Sequence, residues 1–405
     1  MPSEVVEVEG HIIDSLILAK ILDIILDAGA DYRLLDFDIG RTSTDASRAR
    51  FEVTAGDEDL LTALLEELHI HGANRLTTGD VVTVFADTEG VLPEGFYSTT
   101  NLATDVRLHG RWVTVANPEM DCGLVVRPDE LVRTLPMHQV KVGDAIVVGS
   151  DGVRVRPMSR PRGPSPFEFM NSDVSSEKPK ELLVSQVAER MRLARAAGGK
   201  ILAVCGPAVV HTGAAPDLAR LVRAGWVHVL FAGNGFATHD IESNVLGTSL
   251  GVPLLGSQPL EGSHSNHLRV INEVRRRGSI AAAVADGFIG GGVMYDCVRL
   301  GIPFVLAGSV RDDGPLPDVK TDMVEAADAM RELIPGVAVA LMLASTLHAI
   351  ATGNILPAGV ETFCVDINQA VVTKLADRGS HQALGIVTDA GLFLRSLADH
   401  LVPSS

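Results

Sequence analysis

The chain is poor in aromatic residues and strongly acidic, and both features argue against a nucleic-acid partner. Only 4% of its 405 residues are Phe, Trp or Tyr, whereas proteins that stack bases usually carry aromatic side chains on basic faces. The formal net charge of −17 would repel a phosphate backbone. Apolar residues make up 46% of the chain, which is ample material for buried cores.

Paired cysteines are also lacking. None of the four forms a CxxC pair, and they lie far apart along the chain. A disulfide framework or zinc knuckle is therefore not expected, and the thiols are predicted to be reduced and partly buried. The histidines of the segment 263–267 have too few neighbouring ligands to predict a metal site. The cysteines are Cys122, Cys205, Cys297 and Cys364.

Targeting and membrane-spanning signals are missing as well. The N-terminal MPSEVVEVEG has neither the basic nor the apolar region of a secretion signal, which predicts a cytoplasmic protein. Residues 333–357 contain no Asp, Glu, Lys or Arg but include Pro335, Gly336 and Gly353. We interpret the middle of this stretch as a buried helix of an α/β domain, and we expect no membrane partner.

The pattern of apolar residues predicts four segments along the chain. Residues 1–87 have a βαββαβ order typical of a ferredoxin-like or ACT-like α+β unit, with Asp57 capping the second helix and residues 81–85 forming the last strand. Residues 88–157 read as a small β-rich module. Residues 158–179 form a proline-rich linker, and residues 180–405 form an α/β domain.

In the last segment, apolar runs alternate with glycine turns and helical stretches, which predicts a parallel sheet with helices on both faces. The predicted strands include residues 201–205, 227–231, 280–284, 304–307 and 363–365. Several of them are followed by small and polar residues, which suit phosphate and ribose groups at the carboxyl ends of strands. These loops begin near residues 232, 307, 366 and 388.

The individual motifs in these loops are weak. Gly233-Asn-Gly235 is a fragment of GxGxxG, with Thr238 in place of the third glycine, and a tight turn explains it equally well. His239 and Asp240 could form an acid–base pair or simply begin a helix. Taken together, the loops predict a dinucleotide site that differs from the ordinary Rossmann fingerprint.

Several longer stretches resemble the archaeal-type ornithine cyclodeaminases. The same domain forms the C-terminal half of cyanobacterial bifunctional arginine dihydrolases, and the family is also labelled by a region shared with lysine-oxoglutarate reductase/saccharopine dehydrogenase. The resemblance covers nearly the whole chain. Its motifs are residues 9–15, 96–101, 118–122, 232–242, 308–318, 365–368 and 372–380.

The resemblance implies a C-terminal NAD-binding domain like that of deoxyhypusine synthase, a fold that commonly assembles as homo-oligomers. This chain has Gly235 where the family usually has alanine, and we expect it to act without an arginine dihydrolase domain. The NAD contacts implied by the resemblance fall on Asn234, Gly235, Asp313, Ser345, Thr346, Leu347, His348, Asp366, Asp389 and Ala390.

The implied reaction converts L-ornithine to L-proline and ammonia, with a hydride lent to NAD and returned. We expect Arg311 or Arg269 to bind the substrate carboxylate. The candidates for proton transfer are Lys374, His239 and Asp240. Two alternatives stay open at this stage: an NAD-dependent oxidoreductase of the saccharopine or lysine type, and a non-catalytic sensor of an amino acid and NAD.

Overall fold

The computed structural model describes residues 1–13, 15–41, 45–76, 79–157, 180–249, 252–253, 265–312, 314–371 and 383–402. The chain divides into two compact units. The N-terminal unit comprises Met1–Glu168 together with Leu356–Gly359, and the C-terminal unit comprises Phe169–Ile355 and Val360–Ser405. Among the described residues, no helix combines the length and the apolar composition needed to cross a bilayer.

The N-terminal unit begins with a four-stranded antiparallel sheet in the order β2-β3-β1-β4. Asp57 caps α2 as predicted, because its carboxylate accepts the backbone N–H of Leu60 at 2.8 Å. The leucines of α2 then face the core. The elements are β1 (Ser3–Gly10), α1 (Ile17–Asp27), β2 (Asp31–Asp38), β3 (Ser47–Thr54), α2 (Glu58–Ile70) and β4 (Asn74–Arg75).

The predicted last strand of this sheet was wrong. The βαββαβ order is completed by the two-residue strand β4, whereas β5 (Val82–Phe85) pairs antiparallel with β10 (Ala145–Val148) in another sheet. The alternating apolar residues of β5 satisfy either sheet equally well. The partner of a strand is a long-range property that local alternation does not encode, and β4 is too short and polar to be seen in the sequence.

The rest of the N-terminal unit is two small antiparallel sheets, in the orders β5-β10-β8-β9 and β11-β6-β7. Asp105 of β6 is buried, and its carboxylate accepts hydrogen bonds from Arg154 at 2.9 Å and Arg156 at 3.1 Å. This pairing ties β11 to β6. The remaining strands are β6 (Ala103–Leu108), β7 (Arg111–Thr114), β8 (Gly123–Val126), β9 (Val132–Leu135) and β11 (Val153–Arg156).

The C-terminal unit alternates strands and helices. In chain order its elements are α3 (Lys180–Ala196), β12 (Lys200–Cys205), α4 (Ala208–His211), α5 (Ala215–Arg223), β13 (Val229–Gly233), α6 (Asn234–Leu246), β14 (Thr248–Ser249), β15 (Val252–Pro253), α7 (Asn266–Arg277), α8 (Ile280–Ala285), α9 (Val293–Leu300), β16 (Phe304–Ala307), β17 (Val319–Lys320), α10 (Met323–Leu333), β18 (Val337–Leu343), α11 (Leu347–Ile355), β19 (Glu361–Asp366), β20 (Ala383–Val387) and α12 (Ala390–Leu401).

Seven of these strands form one parallel sheet, in the order β17-β16-β13-β12-β18-β19-β20. Residues 201–205 of the central strand β12 are all fully buried, as a parallel strand covered on both faces requires. The strand order reverses between β12 and β18. In doubly wound sheets, ligands bind outside the carboxyl ends of the strands at such a reversal.

Two predicted elements of this unit were wrong. Residues 280–284 are not a strand but helix α8, which Ser279 caps by accepting the N–H of Ala282 at 3.0 Å. The middle of residues 333–357 is not a helix but strand β18, and α11 begins only at Leu347. A short run of apolar residues does not by itself distinguish a buried strand from a buried helix. None of the four cysteines forms a disulfide, and all four are buried.

Candidate dinucleotide site of the C-terminal unit

The carboxyl edge of the parallel sheet gathers most of the residues that the sequence singled out. Because parallel strands end at the same edge, residues that follow β13, β18, β19 and β20 lie along one side of the sheet. Asp313 and Lys374 lie outside the described residues. The gathered residues are Asn234, Gly235, Ser345, Thr346, Leu347, His348, Asp366, Asp389 and Ala390.

Helix α6 presents an uncapped N-terminus at this edge. Its N-cap residue, Gly233, has no side chain to accept the first backbone N–H groups, and such an end attracts anions. The side chain of Asn234 is engaged within the protein, since its Oδ1 accepts the backbone N–H of Leu316 at 3.0 Å. A Cβ on Gly235 would lie 3.7 Å from Pro207, an ordinary contact. The alanine usual in the family would therefore also fit here.

The backbones at the ends of β12 and β18 approach each other closely. A Cβ built on Gly206 would lie 1.8 Å from the carbonyl oxygen of Ala344, a distance that excludes every side chain. Ser345, which follows immediately, is buried. The strand reversal therefore depends on a glycine that no pattern in the sequence had singled out.

His348 connects three strand ends. Its ring donates a hydrogen bond to the backbone oxygen of Ala307 after β16, and a Cβ on Gly233 would lie 3.0 Å from its Cε1. Burial lowers the pKa of His348, so the ring is neutral at pH 7. The neighbouring Leu347 is 77% exposed. His348 thus holds strand ends together at the carboxyl edge of the sheet, whereas the side chain of Leu347 is exposed there.

The polar residues after β19 and β20 retain unused hydrogen-bonding capacity. One carboxylate oxygen of Asp366 accepts the N–H of Asn368 at 2.8 Å, and one oxygen of Asp389 accepts the N–H of Leu392 at 2.9 Å, which caps α12. Thr388 lies between them in sequence. Its hydroxyl is buried and, within the described residues, has no hydrogen-bond partner. A buried hydroxyl without a partner is costly, so this group suits a polar ligand.

The structure separates His239 from Asp240. Asp240 is fully buried, and its carboxylate accepts the backbone N–H groups of Val293 at 3.0 Å and Met294 at 2.8 Å, at the start of α9. Burial raises the pKa of Asp240 to about 6, although these two hydrogen bonds oppose the shift. The ring of His239 instead bonds to Glu242. The two adjacent residues therefore do not bond to each other.

Three histidine rings converge beside α6. The ring of His239 lies 4.7 Å from that of His211 on α4 and 6.2 Å from that of His267 on α7, measured between centroids. Its Nδ1 lies 2.8 Å from Oε2 of Glu242. The sequence interpretation missed His211 and Glu242, although the i, i+3 spacing of His239 and Glu242 was visible. Across the described part of the chain, no set of three or more ligating side chains could hold a metal ion.

The two candidate arginines are both exposed. Arg311 lies in the loop after β16, and Arg269 lies on α7. Within the described residues, neither guanidinium group forms an ion pair or a hydrogen bond. Both therefore remain available for a carboxylate.

The reversed parallel sheet, the uncapped α6 and the acidic residues at one edge define a Rossmann-type domain, the fold class that binds dinucleotides. Residues 185–397 match the family described as arginine dihydrolase ArgZ-like, C-terminal, Rossmann fold, and residues 103–184 match its first region. Residues 3–102 match the LOR/SDH bifunctional enzyme conserved region. The chain belongs to the archaeal-type ornithine cyclodeaminase family, as the following relatives establish.

An ornithine cyclodeaminase of Methanocaldococcus jannaschii is 52% identical over 98% of this chain and 95% of its own length. One from Methanopyrus kandleri is 50% identical, over 98% of this chain and 97% of its own. The resemblance inferred from the motifs is thereby confirmed.

Two solved cyanobacterial proteins extend the comparison. The apo structure of ArgZ, an arginine dihydrolase of the ornithine-ammonia cycle, has a TM-score of 0.85 and 41% identity over 99% of this chain. A ternary complex of AgrE with ornithine and NAD⁺ has a TM-score of 0.54 and 41% identity over 99% of this chain. The chain spans only 58% of the ArgZ chain and 57% of the AgrE chain.

Proposed function

We propose that this protein is an NAD-dependent ornithine cyclodeaminase that converts L-ornithine into L-proline and ammonia. The observation that carries the proposal is the identity of 52%, over nearly the full length of both chains, with an ornithine cyclodeaminase. The AgrE complex, which is 41% identical over 99% of this chain, contains both ornithine and NAD⁺. These relatives favour the cyclodeaminase over a saccharopine-type oxidoreductase and over a non-catalytic sensor.

The residues at the carboxyl edge fit NAD. The N-terminus of α6 suits a pyrophosphate group. The buried hydroxyl of Thr388, which no described residue engages, suits a polar group of the cofactor, and the second oxygen of Asp366 suits ribose hydroxyls. We assign NAD binding to this edge and include Asp313, Ser345, Thr346, Leu347, His348, Asp389 and Ala390 in the site. When bound, NAD supplies a reversible acceptor for a hydride.

The protein must also bind the substrate and move its protons. Arg311 and Arg269 are exposed cations suited to the carboxylate of ornithine. His239 and Lys374 are our candidates for proton transfer. Holding ornithine in a folded conformation brings its δ-amine next to Cα, and tethering gives the amine a high effective concentration.

The proposal extends to the cellular setting of the enzyme. We propose a cytoplasmic homo-oligomer with a deoxyhypusine synthase-like C-terminal domain. Exposed apolar side chains such as Val82 and Phe85 of β5, the latter 71% exposed, support an assembly in which they are covered. Light scattering on the purified protein would test this part directly, because a monomer at all concentrations contradicts it.

Ornithine deuterated at Cα tests the reaction. In ordinary water with NAD⁺, a hydride that is lent and returned gives proline that keeps deuterium at Cα, together with ammonia and no net NADH. Loss of deuterium to the solvent would instead indicate abstraction of a Cα proton. Deuterium released on free NADH would indicate a net dehydrogenase. Either of these two results contradicts the proposed function.

A further inference from the structure

Glu242 is a buried carboxylate whose two oxygens are both engaged. It is fully buried on α6, and its Oε2 lies 2.8 Å from Nδ1 of His239. Its Oε1 accepts the hydroxyl of Thr248 at 2.7 Å, and that hydroxyl accepts the amide of Asn266 at 3.0 Å. The carboxylate is therefore held in one orientation by groups from three elements.

This arrangement selects one tautomer of His239. A carboxylate only accepts hydrogen bonds, so Nδ1 of the neutral ring must carry the proton and donate it to Glu242. The lone pair of the ring is then on Nε2. Within the described residues, Nε2 of His239 has no hydrogen-bond partner, although the residue is only 8% exposed. His239 is therefore a base with a fixed orientation and, within the described residues, an unused lone pair on Nε2.

The other two imidazoles are arranged around this base. Nδ1 of His211 lies 2.7 Å from the hydroxyl of Ser249, and within the described residues its Nε2 has no hydrogen-bond partner. Nδ1 of His267 is buried and has no partner in the described part of the structure. Leaving such a buried atom without a hydrogen bond destabilises the folded protein. As far as the described residues show, each of the three rings therefore has a polar atom without a partner, which is the arrangement expected around a polar ligand.

The cluster also lies at the proposed cofactor edge. Gly235, His239 and Glu242 are spaced i, i+4 and i+7 along α6, so they lie on one face of the helix. Gly235 belongs to the first turn of α6, directly after β13. His211 ends α4, the first helix after β12. His239 thus lies about one helical turn from the carboxyl ends of the strands.

We propose that Nε2 of His239 carries a proton between the two nitrogens of ornithine, and that Glu242 is the positioning residue that makes this possible. The proposal rests on the cyclodeaminase function. Hydride loss leaves Cα at the level of an iminium ion. The δ-amine adds to it, so the δN–Cα bond forms, the α-nitrogen becomes an NH2 group and the new ring nitrogen carries an extra proton. Nε2 takes that proton and delivers it to the α-nitrogen. Ammonia leaves with the electrons of the Cα–N bond, and the ring nitrogen forms the new C=N bond.

His211 supports this role without competing for it. Burial is the main cause that lowers the pKa of His211, the charge of His239 lowers it further, and Glu242 opposes the shift. A neutral His211 does not repel the imidazolium that forms on His239. Among the described residues, the charged and titratable groups that face His239 are Glu242 from its own helix, His211 from α4 and His267 from α7.

The variant Glu242→Gln tests the pair. A glutamine amide donates to Nδ1 and moves the ring proton to Nε2, so the lone pair needed to accept a proton is lost. We expect kcat to fall about 10²-fold or more, while the KM for ornithine changes less than about threefold and the pH profile of kcat changes shape. The control Asp296→Asn also replaces a buried carboxylate, which pairs with Arg223 of α5 at 2.6 Å. If both variants lost activity only in proportion to their unfolded fraction, Glu242 would be merely structural.

A second measurement needs neither substrate nor NAD. Nitrogen NMR of histidine-labelled protein reports which ring nitrogen carries the proton. The wild type should show His239 protonated on Nδ1, and Glu242→Gln should show it protonated on Nε2. A wild-type ring protonated on Nε2 at neutral pH would overturn the inference. If ornithine gave no proline, the proposed function would fail instead, and this tautomer would still decide whether the pair exists.

Rescue provides the third test. His239→Ala should lose activity by a factor similar to that of Glu242→Gln, and added imidazole should restore part of it, because a soluble base can occupy the space left by the ring. Imidazole should leave the activity of the control Asp296→Asn unchanged. An inactive but folded His239→Ala variant that imidazole cannot rescue, combined with an unchanged pH profile in Glu242→Gln, would contradict the inference.

Discussion

Asp240 and Met294 are joined by a hydrogen bond of 2.8 Å in which a fully buried carboxylate accepts a backbone N–H. Val293 donates to the same carboxylate at 3.0 Å. Helix α9 therefore takes its cap from a side chain of α6, more than fifty residues earlier in the sequence. The bond fixes two helices together without any exposed charge.

This carboxylate should make stability depend on pH. Burial raises the pKa of Asp240 from 3.8 to about 6, so between these values the folded state holds the proton more tightly than the unfolded state. The stabilising contribution is complete below pH 3.8 and is lost as the pH rises through about 6. In the wild type, we expect the free energy of unfolding to decrease by roughly 2–3 kcal/mol as the pH rises over this range. Asp240→Asn should abolish this decrease, as measured by urea denaturation at a series of pH values.

The matched control is Asp322→Asn. Asp322 caps α10 by accepting the N–H of Val324 at 2.8 Å, but it is exposed. Its replacement should leave the pH dependence as in the wild type. Identical pH curves for the wild type and Asp240→Asn would show that the buried carboxylate is not the cause.

Gly206→Ala should disrupt the strand reversal. The new methyl group would lie 1.8 Å from the carbonyl oxygen of Ala344, and backbone cannot move aside as a side chain can. We expect a loss of about 3 kcal/mol in the free energy of unfolding, or failure to fold. Gly290→Ala is the control, because a Cβ there meets no atom within 4 Å. Equal stability of the two variants would contradict the close approach.

Asp366→Ala should weaken NAD binding. The carboxylate follows β19 at the carboxyl edge, and only one of its oxygens bonds to Asn368. Losing a charge-assisted hydrogen bond to ribose corresponds to about 1–3 kcal/mol, or roughly 5- to 150-fold in the dissociation constant measured by calorimetry. Glu361→Gln, at the opposite end of the same strand, should bind NAD normally. NADP bound as tightly as NAD by the wild type would refute this role for Asp366.

Asp105→Ala should destabilise the N-terminal unit. Asp105 is 3% exposed, and its carboxylate bonds to Thr114, Arg154 and Arg156. We expect a loss of about 1–3 kcal/mol on thermal or urea unfolding, because the hydroxyl of Thr114 loses its partner and β11 loses its tie to β6. Asp151→Ala removes an exposed pair with Arg75 and should change stability by less than about 0.5 kcal/mol. A similar loss of stability in both variants would show that the burial of the Asp105 ion pairs does not increase their contribution to the free energy of unfolding.

Local signals in the sequence predicted the features that local physics controls. The cap at Asp57 and the buried strand at residues 201–205 follow from residue type and apolar pattern alone. That Asn234 and Asp366 share an edge follows from parallel topology. Their contact with NAD, like the roles of Arg311 and Lys374, stays a prediction.

Long-range relationships account for what the sequence did not reveal. The partner of β5 and the two-residue strand β4 depend on pairing between distant segments. The strand β18 and the helix α8 are both short apolar runs, and their difference lies in what packs against them. The network behind Glu242 needs Thr248 and Asn266 brought together by the fold, so no spacing could have predicted it.

The four buried cysteines allow the local opening of the native protein to be measured without any substitution. Burial raises the pKa of Cys205, and it raises the pKa of Cys297 and of Cys364 to about 12. Only the thiolate form reacts quickly with alkylating reagents. Labelling must therefore wait for the surrounding structure to open. Cys122 lies in the N-terminal unit and the other three in the C-terminal unit, so the order in which peptides acquire label would rank the opening rates of the two units in a single wild-type sample.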